Sequence, residues 1–222
     1  QRMGRDSWIF LQGRIRHLRP LLKDPFAVFS IPWFTQRLRC QVVVTVRHPA
    51  AFASSLKRLN WPFQFEDLLN QPLFMRDWGE PFRQDIERLM AEEQKSSQPD
   101  IIAQGSLLWR IVYAVVDEYK KRLPQIQIVR HEDLSLDPVS GYRSLYEALN
   151  LNFSSAAQKT ILESSSSDNP QEISSKNAFA VNVNSRANLD NWKRRLSADE
   201  IKRIRTLTED LVFDYYPDLS WD

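Results

Sequence analysis

Several things are scarce in this sequence, and each scarcity excludes something. Cys40 is the only cysteine among 222 residues, so an intramolecular disulfide and any cysteine-built zinc site are ruled out. A lone thiol fits a reducing compartment, and a cytoplasmic protein is expected on that ground. Its place ahead of QVVVTV predicts a small, partly buried side chain, and nothing nearby in sequence would activate it as a nucleophile. Glycine is scarce too: Gly4, Gly13, Gly79, Gly105 and Gly141 cannot compose G-x-x-x-x-G-K-[ST], so no Walker-type loop is readable. The net charge of +2 argues against a dedicated nucleic-acid binder. No apolar run approaches the roughly 20 residues of a membrane-spanning helix. The start of the sequence does not read as a signal peptide.

What is present is an ordinary globular composition, 42% hydrophobic and 26% charged, in a length suited to one domain with an inserted subregion. QVVVTV (41–46) is β-branched and apolar on both faces, which predicts a central parallel strand. RPLLKDPF (19–26) predicts a short buried strand ending at Lys23, followed by an Asp24 cap and Pro25 at the first helical position. QIQIV (125–129) predicts a further strand, running into Arg130, His131 and Glu132. Helices are expected over 31–38, 49–59, 82–94 and 101–122, after Asp137-Pro138, and after the capping box SADE at 197–200. Residues 60–82 read as an irregular excursion with short helices, and 163–177 as a polar, flexible loop. Strands alternating with long helices predict an α/β fold with a parallel sheet.

The strand ends carry the chemistry. Ligands of open α/β sheets bind outside the carboxyl ends of the strands. If the three strands are parallel neighbours, Lys23, Arg47 and His131 share one basic edge, and the ligand is an anion. Pro49 starts a helix right after Arg47, and a helix N-terminus offers free N–H groups to an anion. Arg47 offers a planar fork, and Ser55 lies about two turns into that helix. The competing reading is an ion-paired arginine and a solvent-facing serine. His48 reads as either a helix cap or a neighbour of the anion. His17, within RIRHLRP, reads as part of a solvated basic run.

R-x-P with a serine eight residues after the arginine, at the end of an apolar strand, resembles the 3′-phosphate-binding segment of the sulfotransferases that use 3′-phosphoadenosine 5′-phosphosulfate (PAPS). LLKDPF resembles that family's K-x-P element, IVRHEDLSLDP its Y-E-D-L…P strand and turn, and SRANLDNWKRRLSADE its C-terminal segment. The ordered set spans residues 20 to about 200. The resemblance implies a three-layer α/β fold, a parallel central sheet flanked by helices as in P-loop nucleotide-binding proteins. It implies metal-free, in-line transfer of a sulfuryl group from PAPS to a hydroxyl or amine of a carbohydrate or small-molecule acceptor, leaving PAP. Arg47, Ser55 and Arg186 would hold the 3′-phosphate, and His131 would lie near the adenine. Lys23 would face the reacting sulfuryl group or the acceptor, and Asp24 is a candidate base whose competing role is the helix cap. Trp192 would belong to the core.

One element of the family pattern is not readable: the Gly- or Ser-rich loop with a basic residue that cradles the 5′-phosphosulfate. Either it lies upstream of Gln1, so that residues 1–222 are one domain without its first strand and loop, or donor binding is lost. Residues 60–100, with Trp61, Phe63, Phe65, Phe74 and Trp78, are expected to be the acceptor side or a local hydrophobic cluster. Two other readings stay open: a non-catalytic module that binds PAP or a sulfated glycan, and a nucleotide-dependent kinase of related architecture.

Overall fold

The computed structural model describes residues 2–16, 18–96, 98–172, 182–219 and 221. His17 and the last third of the polar segment 163–177, from residue 173 on, lie outside the described residues, while its first residues finish α10 and continue without a regular element to residue 172. In chain order the helices are α1 (Arg2–Ile15), α2 (Ile31–Arg37), α3 (Pro49–Leu59), α4 (Phe65–Leu69), α5 (Pro72–Phe74), α6 (Arg83–Glu93) and α7 (Ile101–Arg122). Then come α8 (His131–Leu136), α9 (Pro138–Ala148), α10 (Ser155–Ser165), α11 (Ser185–Asn188), α12 (Asn191–Arg195) and α13 (Ala198–Val212). Strand β1 (Val43–Val46) precedes α3, and β2 (Gln127–Arg130) follows α7.

The two strands pair in parallel, with Val43 opposite Gln127 and Val46 opposite Arg130. The fold is therefore α/β and mostly helical, with a two-stranded parallel sheet among the described residues. The strand expected at Leu21-Leu22 does not form. Residues 18–24 have no regular structure, and Leu21 is 91% exposed. Pro20 lacks an N–H for a ladder, and the two leucines meet no layer that would cover them. The covered-on-both-faces reading of β1 also fails. Val42, Val44 and Val46 face the core, while Val43 and Thr45 are exposed, so the strand alternates with period two. Cys40 is exposed, not partly buried.

Local signals set most helix ends. Asp24 accepts the Phe26 N–H at 2.8 Å and caps a 3-10 turn at Pro25–Ser30. Asp100 and Asp137 cap α7 and α9, and Ser197 with Glu200 forms the capping box of α13. Asn60 ends α3 in the left-handed conformation, at φ 50°. Helices α3, α7 and α13 pack on one another, and α12 packs on α3. The α3–α7 approach is close at Gly105: a Cβ there would lie 3.1 Å from Ala53 Cα, tighter than most such contacts. The excursion after α3 folds into α4, α5, a π turn and a 3-10 turn, and its Phe65 and Phe74 pack with Ile86 of α6 against α7.

Candidate functional site at the strand tips

The parallel register puts the residues after β1 and β2 side by side. Arg47 follows Val46, and His131 follows its partner Arg130. The β1 tip is fixed from the core side. Trp109 Nε1 donates to Arg47 O at 2.8 Å, Tyr113 Oη donates to Thr45 O at 3.1 Å, and Tyr215 Oη donates to Tyr113 O at 2.7 Å. Burial pushes the Tyr113 phenol up to about 12, so these hydroxyls act as donors across the ordinary pH range.

Glu132, the second residue of α8, ties the two tips together. One carboxylate oxygen accepts the His48 backbone N–H at 3.0 Å, and the other accepts the Tyr216 hydroxyl at 2.6 Å. Arg130 makes a two-pronged pair with Asp133 at 2.8 and 2.7 Å and lies over the Tyr216 ring. The C-terminal segment is thereby locked over both strand ends.

His48 is buried and caps α3: its Nδ1 accepts the Ala50 N–H at 3.1 Å. The neutral ring therefore carries its proton on Nε2, a buried donor with no acceptor among the described residues. Its ring stacks on Trp192, with centroids 4.9 Å apart, and meets the edges of Tyr216 and Trp221. Burial is the main reason its pKa falls to about 4; Glu132 opposes the fall, and Lys193 and Arg47 add to it. The Nε of Arg47 is likewise buried and without an acceptor among the described residues. Burial lowers the Arg47 pKa, with Glu132 opposing and the charge of Arg195 adding to the fall.

Arg195 is the basic neighbour that the sequence did not single out. It lies on α12 three residues after Trp192, on the same buried face, and its side chain is 18% exposed. Its pKa is lowered by burial first, with the charge of Arg58 also contributing. Arg47, Arg195 and Arg58 thus form a like-charged group bounded by two carboxylates, Glu132 and Glu172. The one readable signal was spacing, since Arg195 shares a helical face with a tryptophan assigned to the core.

The sequence-derived candidates fall in different places. Arg47 and His131 are brought together as expected. His131 is half-buried, with its Nδ1 3.5 Å from Ser135 Oγ, and burial followed by the charge of Arg47 lowers its pKa. Ser55 sits on α3, where its hydroxyl donates to Ala51 O at 2.9 Å. Arg186 donates to Leu136 O at 2.9 Å, at the opposite end of α8 from His131. Lys23 is exposed on the irregular segment and is not at a strand tip. Asp24 serves as the helix cap. Trp192 is core. Of the aromatic set at 60–100, Phe65 and Phe74 are buried in the local hydrophobic cluster, while Trp61 is half exposed. A cleft of about 410 Å³ opens beside that cluster, between Phe63, Phe65 and Met90. No helix among the described residues is long and apolar enough to cross a membrane.

No family model and no curated protein matches the chain. Among solved structures, the sulfotransferase domain from the curacin biosynthetic pathway is similar, with a TM-score of 0.52 and 15% sequence identity. The superposition covers 92% of this chain and 67% of that one. The likeness is one of backbone architecture: the chain has a sulfotransferase-like α/β fold.

Proposed function

We propose that this chain is a sulfotransferase domain that takes a sulfuryl group from PAPS and passes it to a hydroxyl or amine. One observation carries the reading. Arg47, with a buried and unpartnered Nε–H, stands at the carboxyl end of β1 and directly before the N-terminus of α3, in a sulfotransferase-like fold. The 3′-phosphate of the donor would meet Arg47, with Ser55 turning its hydroxyl from Ala51 O toward the phosphate. Arg195 is the better second cation than Arg186, because it is partly buried and shares the Glu172 carboxylate with Arg58 of α3, whereas Arg186 is tied to Leu136 O. His131 would flank the adenine, and Lys23 would face the sulfuryl group.

In the transfer, an acceptor oxygen or nitrogen forms a bond to sulfur as the bond from sulfur to the 5′-phosphate oxygen breaks. The products are a sulfated acceptor and PAP. The acceptor proton leaves to a base. Positive groups offset charge on the leaving phosphate and the sulfuryl oxygens. Asp24 keeps its cap in this scheme and is not the base. The acceptor, a carbohydrate or small molecule, would enter from the side of residues 60–100. Calorimetric titration of PAP, with AMP as control, tests the reading. PAP binding at least about tenfold tighter than AMP is the expected result, since a charge-assisted phosphate contact is worth more than about 1.4 kcal/mol. Equal affinities would overturn it.

A further inference from the structure

We propose that Glu172 occupies the anion site of the ligand-free chain, so that an incoming phosphate must displace its carboxylate, and that Glu172 thereby sets the affinity of the site. The inference rests on the reading of the Arg47–Arg195–Arg58 group as a phosphate site. The Glu172 carboxylate lies 2.6 Å from Arg195 Nη2, and the same oxygen lies 3.9 Å from Arg58 Nε. It therefore stands between two members of the group, and the third, Arg47, feels the charge of Arg195.

Glu132, Glu200 and Glu172 are held in different ways. Glu132 is bound by a backbone N–H and a tyrosine hydroxyl between the strand tips. Glu200 belongs to the capping box of α13 and pairs with Lys57 at 2.6 Å. Glu172 reaches the guanidiniums from the solvent side: its side chain is 47% exposed, against 18% and 21% for Arg195 and Arg58. Its chain neighbour Gln171 is anchored independently, because Asn191 Nδ2 donates to Gln171 O at 3.0 Å. The carboxylate can therefore swing off the arginines without releasing that anchor.

The exchange is chemically sensible. A phosphate monoester brings three acceptor oxygens and a charge of about −1.5 to −2, against two oxygens and a single charge on the glutamate. It satisfies the guanidiniums better than the residue it displaces. Until it arrives, the glutamate relieves the repulsion among them. Loss of the glutamate pairs is then a fixed cost on every anion that enters.

Titration of PAP into the wild-type chain, Glu172→Gln and Glu172→Ala tests this, with circular dichroism checking that each is folded. Both variants are expected to bind PAP more tightly, by about 3- to 10-fold, the scale of one or two partly exposed ion pairs. The gain is expected to vanish when Arg195→Gln is combined with Glu172→Gln, because the competing pair is already gone. Unchanged or weaker binding by both single variants, with PAP still bound by the wild type, would overturn the role of Glu172 and leave the phosphate site standing. Absence of PAP binding in all forms would overturn the phosphate site and the inference with it.

Discussion

Replacing Glu132 with alanine is expected to destabilise the fold more than any other single carboxylate substitution. The side chain satisfies two donors at once, the His48 N–H at 3.0 Å and the Tyr216 hydroxyl at 2.6 Å. It is also the carboxylate that opposes the burial of Arg47. Hydrogen bonds to a charged acceptor are each worth about 1.5–3 kcal/mol. Removal of one partner leaves donors unsatisfied and the arginine poorly compensated, so the expected loss is about 3–5 kcal/mol. That is a large share of the roughly 5–15 kcal/mol that holds a typical domain together. Urea denaturation followed by circular dichroism reads it directly. Glu132→Gln keeps one acceptor oxygen and is expected to lose less, about 1–3 kcal/mol. A loss below about 1 kcal/mol for Glu132→Ala would refute the claim that this carboxylate clamps the two strand tips.

Three other outcomes follow from the same contacts. His48 has a folded pKa near 4 against an ordinary 6.5, so the unfolded chain binds more protons between those values. Stability is complete above about pH 6.5 and falls as the pH drops toward 4, by about 3 kcal/mol from this group at most; burial of His131 acts in the same direction. The urea midpoint of the wild type should therefore fall between pH 6.5 and pH 5, and His48→Asn should flatten that fall; an equal slope in both would exclude His48 as its source. Gly105→Ala, whose Cβ would press on Ala53, is expected to cost about 1–3 kcal/mol in the same assay, and a neutral effect would show that α3 and α7 can separate freely. Arg195→Ala is expected to weaken PAP binding at least about 5-fold more than Arg186→Ala, in keeping with a nearby, partly buried cation; the reverse order would return the second phosphate contact to Arg186.

Much of the local structure was readable because it is encoded locally. Pro49 with its cap opened α3, Asp137-Pro138 opened α9, and SADE opened α13, each through groups a few residues apart. The long apolar stripe of 101–122 gave α7 with the expected bounds. The failures share a cause. RPLL is apolar enough for a strand, but a strand also needs a ladder partner and a covering layer, which lie far away in sequence. QVVVTV reads as covered on both faces because all its residues suit burial, yet only Val42, Val44 and Val46 face packed helices.

The site shows the same division. Arg47 stood out because it ends an apolar run before a proline. Glu132 and Tyr216 did not, because they are 84 residues apart and only folding joins them. Arg195 was hidden in WKRRL, where a basic run reads as solvated surface until Trp192 is seen stacked on His48. Glu172 had no local signal at all; its partners lie on α3 and α12.

The central claim is that Arg47 meets a 3′-phosphate, and a thermodynamic cycle tests it most directly. PAP and AMP are titrated into the wild type and Arg47→Ala, and the cost of the substitution is compared between the two ligands. Arg47→Ala should weaken PAP by about 2–4 kcal/mol, as for a partly buried charge-assisted contact, and should change AMP, which lacks the 3′-phosphate, by less than about 0.5 kcal/mol. Equal losses for the two ligands, or none for either, would contradict the assignment of the strand-tip arginine to the 3′-phosphate.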